Sequence, residues 1–310
     1  MTSPAPHIPV LLEETISLLL TNLEGIYLDG TVGFGGHAEV ILSKLTANGK
    51  LIGIDLDPYA LEYTHKRLSA HPYSYSLLNG NYREYPILLQ NEGVSKLTGI
   101  LIDLGSSSAQ IDTGHRGFSY QSDAVLDMRF NPNADFNAKD FLNCSTEEDI
   151  GTIIKEYGEE RHYRRIAEKI YKAAKSGKMN NTFELKGVIA SSVNPKFVTK
   201  SLARVFQAIR IHINDEFASL KSALQSSMDW LVTGGRIAVI SFHSLEDRIV
   251  KQFFKQSAIS CVCPKEFPLC ICDTTPTFNV ITRKGIKASA EEVKLNSRSR
   301  SAILRVAQRR

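Results

Sequence analysis

Apolar and polar residues along this chain change period several times, and the changes mark its elements. Residues 26–30, Ile-Tyr-Leu-Asp-Gly, form a short apolar run closed by an acid and a glycine, the form of a buried strand. A glycine-rich turn follows, and in 38–45 the residues Val40, Ile41 and Leu45 fall on one helical face. Residues 50–57 read as a second buried strand. Pro58 then opens a helix through Leu68, because proline's fixed φ and missing N–H suit a first helical turn. Apolar runs at 97–105 and 234–242 predict two more strands, the latter after a helix carrying Phe217, Leu220, Leu224 and Leu231. Strands alternating with helices predict a mostly parallel α/β sheet covered on both faces.

Two stretches break the alternation. Between Gly105 and about Ala203, a polar loop (105–140) gives way to helical periodicity at Ile150, Ile153, Ile154 and Tyr157, then at Ile166, Ile170 and Ala174. This predicts a mostly helical domain, placed at 113–205, inserted into an α/β domain formed by 1–112 and 206–310. Near the end, 278–284 and 301–307 are strand-like with no helix-length apolar pattern between them, and read as an antiparallel pair.

Composition narrows the class. The 310 residues are 43% hydrophobic and 23% charged, values of an ordinary globular protein. No apolar run reaches membrane-spanning length. The N-terminus lacks a basic start, and Glu13 and Glu14 interrupt its apolar stretch, so a cytoplasmic protein with no membrane role is expected. A net charge of +4 permits a nucleic-acid partner without demanding one. Basic residues concentrate in two places: Lys155, Arg161, Arg164, Arg165, Lys169, Lys172, Lys175 and Lys178, and then Lys294, Arg298, Arg300, Arg305, Arg309 and Arg310. Either cluster alone reads as a solvated face; together they are expected to flank a ligand crevice at the strand ends and grip nucleic-acid phosphates, the second through Arg298, Arg300, Arg309 and Arg310.

The strongest chemical signal is Asp29 to His37, Asp-Gly-Thr-Val-Gly-Phe-Gly-Gly-His, placed after a strand and before a helix. Glycines there let the backbone turn tightly and approach a ligand. The next predicted strand ends in Asp55, where an acid accepts hydrogen bonds from a ribose diol, and the third ends in Asp103. Three strand-end carboxylates repel a pyrophosphate but suit a cofactor with an amino group, a ribose and a sulfonium cation. The pattern therefore favours S-adenosylmethionine over NAD. An NAD-dependent oxidoreductase would use the glycine turn and Asp55 but not Asp103. A non-catalytic RNA-binding module would need only the basic clusters.

The chain also resembles a known family, the bacterial 16S ribosomal RNA cytosine-N4 methyltransferases that modify a cytosine of the decoding centre. The likeness runs through 7–14 (HIPVLLEE), 29–42, 53–60, 103–112, 116–120, 126–129, 203–216, 234–254 and 298–307. It implies a Rossmann-like class I methyltransferase sheet with an inserted helical domain that recognises RNA. The implied cofactor is S-adenosylmethionine, and the implied partner is 16S rRNA in the assembled small subunit; the oligomeric state stays open. Position by position, the resemblance places cofactor contacts at Gly35, Gly36, His37, Asp55, Tyr82, Asp103 and Gln110. The sequence departs from the family at Ala124-Val125, Gly285 and Ser297, all outside those positions.

For catalysis, Asp103 is the candidate acceptor for the reacting amine, and His243, in Ser-Phe-His-Ser-Leu-Glu-Asp-Arg after a strand, is a second candidate against a purely structural role. The Asp-Pro-Pro-Tyr type of motif of many amino-group methyltransferases is replaced by Asp-Leu-Gly-Ser. No metal is assigned. Cys261, Cys263, Cys270 and Cys272 form a Cys-x-Cys…Cys-x-Cys pattern able to bind zinc, although two-residue spacers are commoner in such sites. Cys144 stands apart and is expected to be buried.

Overall fold

The computed structural model describes residues 9–105, 116–263, 272 and 274–310. The chain divides into two compact units, one of Ala5–Gly105 with Phe217–Arg310, the other of Ser106–Glu216 with Met1–Pro4. In chain order the first unit begins with α1 Leu12–Leu19, β1 Ile26–Asp29, α2 Gly36–Lys44, β2 Lys50–Asp55, α3 Pro58–Leu68, β3 Ser74–Asn79, α4 Tyr85–Asn91 and β4 Leu97–Asp103. The chain continues through α5 Ala138–Cys144, α6 Glu147–Gly158, α7 Tyr163–Lys175, α8 Thr182–Ser192 and α9 Val198–Ile213. It then runs through α10 Glu216–Trp230, β5 Leu231–Ser241, α11 Ser244–Ser257, β6 Phe278–Val280, β7 Ile286–Lys287, α12 Ala290–Leu295 and β8 Ile303–Arg309.

The strands form one sheet in the order β3-β2-β1-β4-β5-β8-β6, with β7 also on β8. β1 to β5 run parallel, and β8 lies antiparallel to β5 and β6. This is the expected Rossmann-like sheet, and its order reverses between β1 and β4. Period-two alternation sends neighbouring side chains to opposite faces. Leu28, Ile52, Ile54, Ile100, Ile102 and Val239 pack with Tyr85 and Leu89 of α4, Leu220 and Leu224 of α10, and Val250 and Phe254 of α11. Tyr27, Leu51, Leu101, Ala238 and Ile240 pack the other face with Ile16 and Leu19 of α1, Ile41 and Leu42 of α2, and Leu68 of α3. Each such fully buried side chain contributes roughly 1.5–3 kcal/mol, so both faces are anchored.

Helix starts follow local chemistry. Asp57 caps α3 by accepting from Tyr59 N, with Pro58 at the first helical position. In the second unit, Asn137 and Thr146 form reciprocal capping boxes with Asp140 and Asp149 at the starts of α5 and α6. The core of that unit is helical: Ile150, Ile153 and Ile154 of α6 and Ile166, Ala167, Ile170 and Ala174 of α7 pack with Leu202, Val205 and Phe206 of α9. Among the described residues no helix is long and apolar enough to cross a membrane.

The structure differs from the sequence expectations at several points. β3, an edge strand of half-exposed residues, was not expected between α3 and 97–105. Asp29, Asp55 and Asp103 therefore end β1, β2 and β4, which are neighbours in the sheet but not successive in the chain. Leu231 is the first residue of β5 instead of the last of the preceding helix. Cys144 is exposed, not buried: it is the last residue of α5, and the core contacts of that helix are made by Ala138, Phe141 and Leu142.

Candidate active site

The site is built at the carboxyl ends of β2, β1 and β4, where the sheet order reverses. In open α/β sheets the ligand crevice forms at such a switch point. Backbone pairing sets the register: Asp29 lies opposite Gly53 and Leu101, and Asp103 opposite Ile240. The turn after β1 is fixed from both neighbouring strands, with Gly30 N donating to Leu101 O and Val32 N to Ile54 O. Thr31 ties the turn to β4, its Oγ1 accepting from Asp103 N at 2.7 Å.

The glycines have definite tasks. Gly35 precedes α2 with φ of 76°, and a Cβ there would sit 2.9 Å from Thr64 Cγ2. Both the left-handed backbone and the close approach exclude a side chain. Gly36 lets the N-terminal segment close over the start of α2, since a Cβ would lie 3.2 Å from Pro9 Cβ. Pro9, Val10 and Leu11 of the HIPVLLEE segment thus acquire a structural task. Val10 O accepts from His37 Nε2 at 3.0 Å, and Leu11 N donates to Glu292 Oε1 at 2.8 Å.

Asp55 is held by the turn it faces. Its Oδ2 accepts from Gly33 N at 2.8 Å and its Oδ1 from Asp57 N at 2.9 Å. Each carboxylate oxygen keeps a second lone pair for a ligand hydroxyl. Burial is the largest influence on its carboxyl, which is pushed up to about 6 despite those amides. Asp29, 2% exposed, accepts from Thr31 N, yet burial and the nearby Asp55 raise it to about 7.

Asp103 is the most perturbed of the three. Burial first, then repulsion from Asp29 and Glu246, raises its carboxyl well above the ordinary range. Its Oδ1 is buried with no hydrogen-bond partner among the described residues, and its Oδ2 lies 3.6 Å from His37 Nδ1. His37 Nε2 must carry a proton to donate to the Val10 carbonyl. Nδ1 therefore faces the acid at ion-pair distance. An unpartnered buried oxygen costs roughly 1–3 kcal/mol, which a ligand donor would recover.

These carboxyls predict a pH dependence. An acid raised on folding binds its proton more tightly in the native state, so it stabilises the fold below its unfolded value and loses that contribution as pH rises. In ligand-free protein, stability is expected to fall between about pH 4 and pH 7, by on the order of 4 kcal/mol from Asp29 alone. Urea unfolding across that window reads it, and Asp29→Asn should flatten the slope. A slope unchanged in that variant would contradict the buried-carboxyl account.

The remaining candidates are placed as follows. Tyr82 opens a 3-10 turn, Tyr82–Glu84, after β3, and its Cβ lies 3.1 Å from the position of a Cβ on Gly30. It packs partly buried on the sheet core beside the turn. His243 caps α11: its Nδ1 accepts from Glu246 N at 3.4 Å, while Glu246 Oε2 accepts from Phe242 N and His243 N. Its Nε2 lies 3.0 Å from Glu246 Oε1, within ion-pair distance but outside hydrogen-bond geometry. Local structure thus occupies Nδ1 of His243, while Nε2 is buried with no hydrogen-bond partner among the described residues. Gln110 and Cys270 lie outside the described residues.

Thr31 and Val10 were not foreseen as parts of the site. Thr31 carried a signal, since it sits inside the glycine turn. Val10 reaches the site only through tertiary packing.

The C-terminal basic cluster splits. β8 is antiparallel to β5, with Ile303 opposite Ser241 and Gln308 opposite Arg236. Arg298 and Arg300 therefore precede β8 at the carboxylate edge, while Arg309 and Arg310 emerge at the opposite edge of the sheet. The expectation that all four flank the crevice fails for that pair. Arg309 donates to Met228 O and Thr277 O, and Arg310 Nε to Asn279 Oδ1. Arg305, 8% exposed, is bound to Asp247 through two nitrogens.

Comparison with known proteins places this geometry in a family. The chain matches the MraW methylase family over residues 4–310. The ribosomal RNA small subunit methyltransferase H of Caldicellulosiruptor bescii is 46% identical over 304 residues, covering 98% of this chain and 99% of that relative. Proteins of the same name from Caldicellulosiruptor saccharolyticus and Heliobacterium modesticaldum are 44% and 43% identical, each alignment covering 98% of this chain and 99% and 98% of the relatives. A family match over residues 4–310, with relatives 43–46% identical across nearly the whole chain, shows that the protein belongs to the MraW methylase family.

Proposed function

We propose that this chain transfers a methyl group from S-adenosylmethionine to the N4 amine of a cytosine in the decoding centre of small-subunit ribosomal RNA, acting in the cytoplasm on the assembled subunit. The observation that carries the reading is the trio of carboxyls gathered at the switch point, Asp29 buried and Asp55 and Asp103 partly so, in a chain of the MraW methylase family. When bound, the cofactor supplies an electrophilic methyl on a cationic sulfur. A unit positive charge about 4 Å from one ionised carboxylate gains about 4 kcal/mol at an effective dielectric near 20. The same carboxylates repel a dinucleotide pyrophosphate, which counts against an NAD-dependent oxidoreductase.

Each residue then has a task. Asp55 accepts from the ribose hydroxyls with its unused lone pairs. Gly35 and Gly36 bring backbone close to the cofactor, Tyr82 lays its ring on the adenine face, and Gln110 completes the cofactor contacts. Asp103 Oδ1 accepts an N–H of the cytosine amine, whose lone pair is otherwise delocalised into the ring, and takes up the proton released on methylation. The raised carboxyl makes Asp103 a stronger base than an ordinary carboxylate, and His37 Nδ1 behind it steadies the resulting acid. His243 supports this edge by capping α11.

The RNA is held through phosphates by the basic face of the second unit. α7 buries Ile166, Ala167, Ile170 and Ala174 and turns Arg164 and Arg165 to solvent, with Arg161 exposed just before it. Lys169 donates to Ser191 O, so it is not counted in this face. Replacing Arg161, Arg164 and Arg165 together with alanine is expected to weaken RNA binding and to flatten its log–log salt dependence by about two to three. Cofactor affinity should not change. An unaltered salt slope would mean that this face is only solvated surface. The transfer itself is tested by incubating labelled S-adenosylmethionine with small subunits lacking the modification: label is expected in 16S rRNA, and its absence would refute the proposal.

A further inference from the structure

Among the described residues, one cluster of metal-binding side chains is unused by the reaction. Cys261, Cys263 and Cys272 bring their sulfurs within 4.8 Å of one another. They lie in the segment between the end of α11 and β6, whose neck is closed by Thr277 N donating to Ser257 O at 2.8 Å. We propose that these three thiols, as thiolates, bind a structural zinc ion.

Three observations carry this. The Sγ atoms of Cys261 and Cys272 are 3.8 Å apart. A Zn–S bond of about 2.3 Å in tetrahedral geometry separates two sulfurs by about 3.8 Å, whereas a disulfide would require about 2.0 Å. Second, Val262 N donates to Cys272 Sγ at 3.3 Å. Such a backbone donor stabilises thiolate charge and orients the ligand, as outer-shell hydrogen bonds do around metals. Third, Val262 is 65% exposed and Cys261 is exposed, so apolar packing at these residues does not account for the gathering of the three thiols.

An all-sulfur donor set selects zinc among the divalent ions commonly available. Binding converts three thiols to thiolates, with their protons passing to the buffer, and a tetrahedral ion takes one further donor. The one-residue spacer within Cys261-Val262-Cys263 is unusual, but the third sulfur comes from across the loop, so spacing within a pair does not limit the geometry.

The test uses the full chain, purified under reducing conditions without chelator. Elemental analysis should find about one zinc per chain. Cys261→Ser combined with Cys272→Ser should lower that to about a tenth or less, and Cys144→Ser, an exposed cysteine of the other unit, should leave it unchanged. Cobalt(II) added to the zinc-stripped wild-type chain should develop sulfur-to-cobalt charge-transfer absorption in the near ultraviolet, a reading that needs no variant to fold. Wild-type protein that holds no more zinc than the double variant and gives no such band with cobalt would overturn the proposal. So would a Cys261–Cys272 disulfide that persists under the same reducing conditions.

Discussion

Asp103→Asn is expected to lower the rate of methyl transfer by about a hundredfold to a thousandfold, the usual effect of losing one preorganised acid–base or electrostatic group, while weakening cofactor binding severalfold at most. The asymmetry follows from geometry. Asp103 Oδ1 is buried and unpartnered among the described residues, with its Oδ2 turned to His37. Asparagine keeps the shape and an accepting oxygen but cannot take up a proton. An interaction made mainly in the transition state lowers kcat more than it lowers affinity. Single-turnover transfer measured beside calorimetric titration with S-adenosylhomocysteine separates the two. The pH profile gives a second reading: because burial raises the Asp103 carboxyl, the wild-type rate should climb with pH as that group ionises, and the variant should lose this limb. A rate loss matching the loss of cofactor occupancy would reduce Asp103 to a binding residue.

Asp55→Ala is expected to weaken cofactor binding by about a hundredfold or more. A charge-assisted hydrogen bond to each ribose hydroxyl contributes roughly 1.5–3 kcal/mol, and the substitution removes both. It also removes the acceptor of Gly33 N and Asp57 N, so the glycine turn loses an anchor. The effect should therefore exceed that of the ribose contacts alone. Asp55→Asn separates the contributions, because the amide oxygen can still accept one backbone bond. The fold should persist, since Leu28, Ile52 and Ile54 in the neighbouring core are untouched; a thermal melt checks this. Unchanged affinity for S-adenosylhomocysteine would remove Asp55 from the cofactor site.

How much of this was legible in the sequence depended on whether a signal was local. β1, β2, β4 and α3 announce themselves because buried parallel strands are continuous apolar runs and Asp57-Pro58 is a self-contained helix start. β3 did not, because an edge strand covered on one side tolerates the serines, tyrosine and asparagine of Ser74–Asn79. The three aspartates were readable as strand ends, but their adjacency came from the sheet order, which places β4 beside β1. The burial of His37, its bond to Val10 and the capping role of His243 depend on packing that no spacing encodes. Arg309 and Arg310 were misjudged for the same reason: a run of basic residues does not reveal which sheet edge it will meet.

The atom that receives the methyl group distinguishes this reaction from other methyl transfers to RNA. Small subunits lacking the modification, incubated with this protein and S-adenosylmethionine carrying a heavy methyl group, should yield, after nuclease digestion and mass spectrometry, N4-methylcytidine within one decoding-centre fragment of 16S rRNA. The heavy label should reside on the exocyclic nitrogen, and Asp103→Asn protein should deliver little of it in the same time. Heavy methyl on another atom, on a cytosine outside the decoding centre, or on no RNA at all would contradict the account.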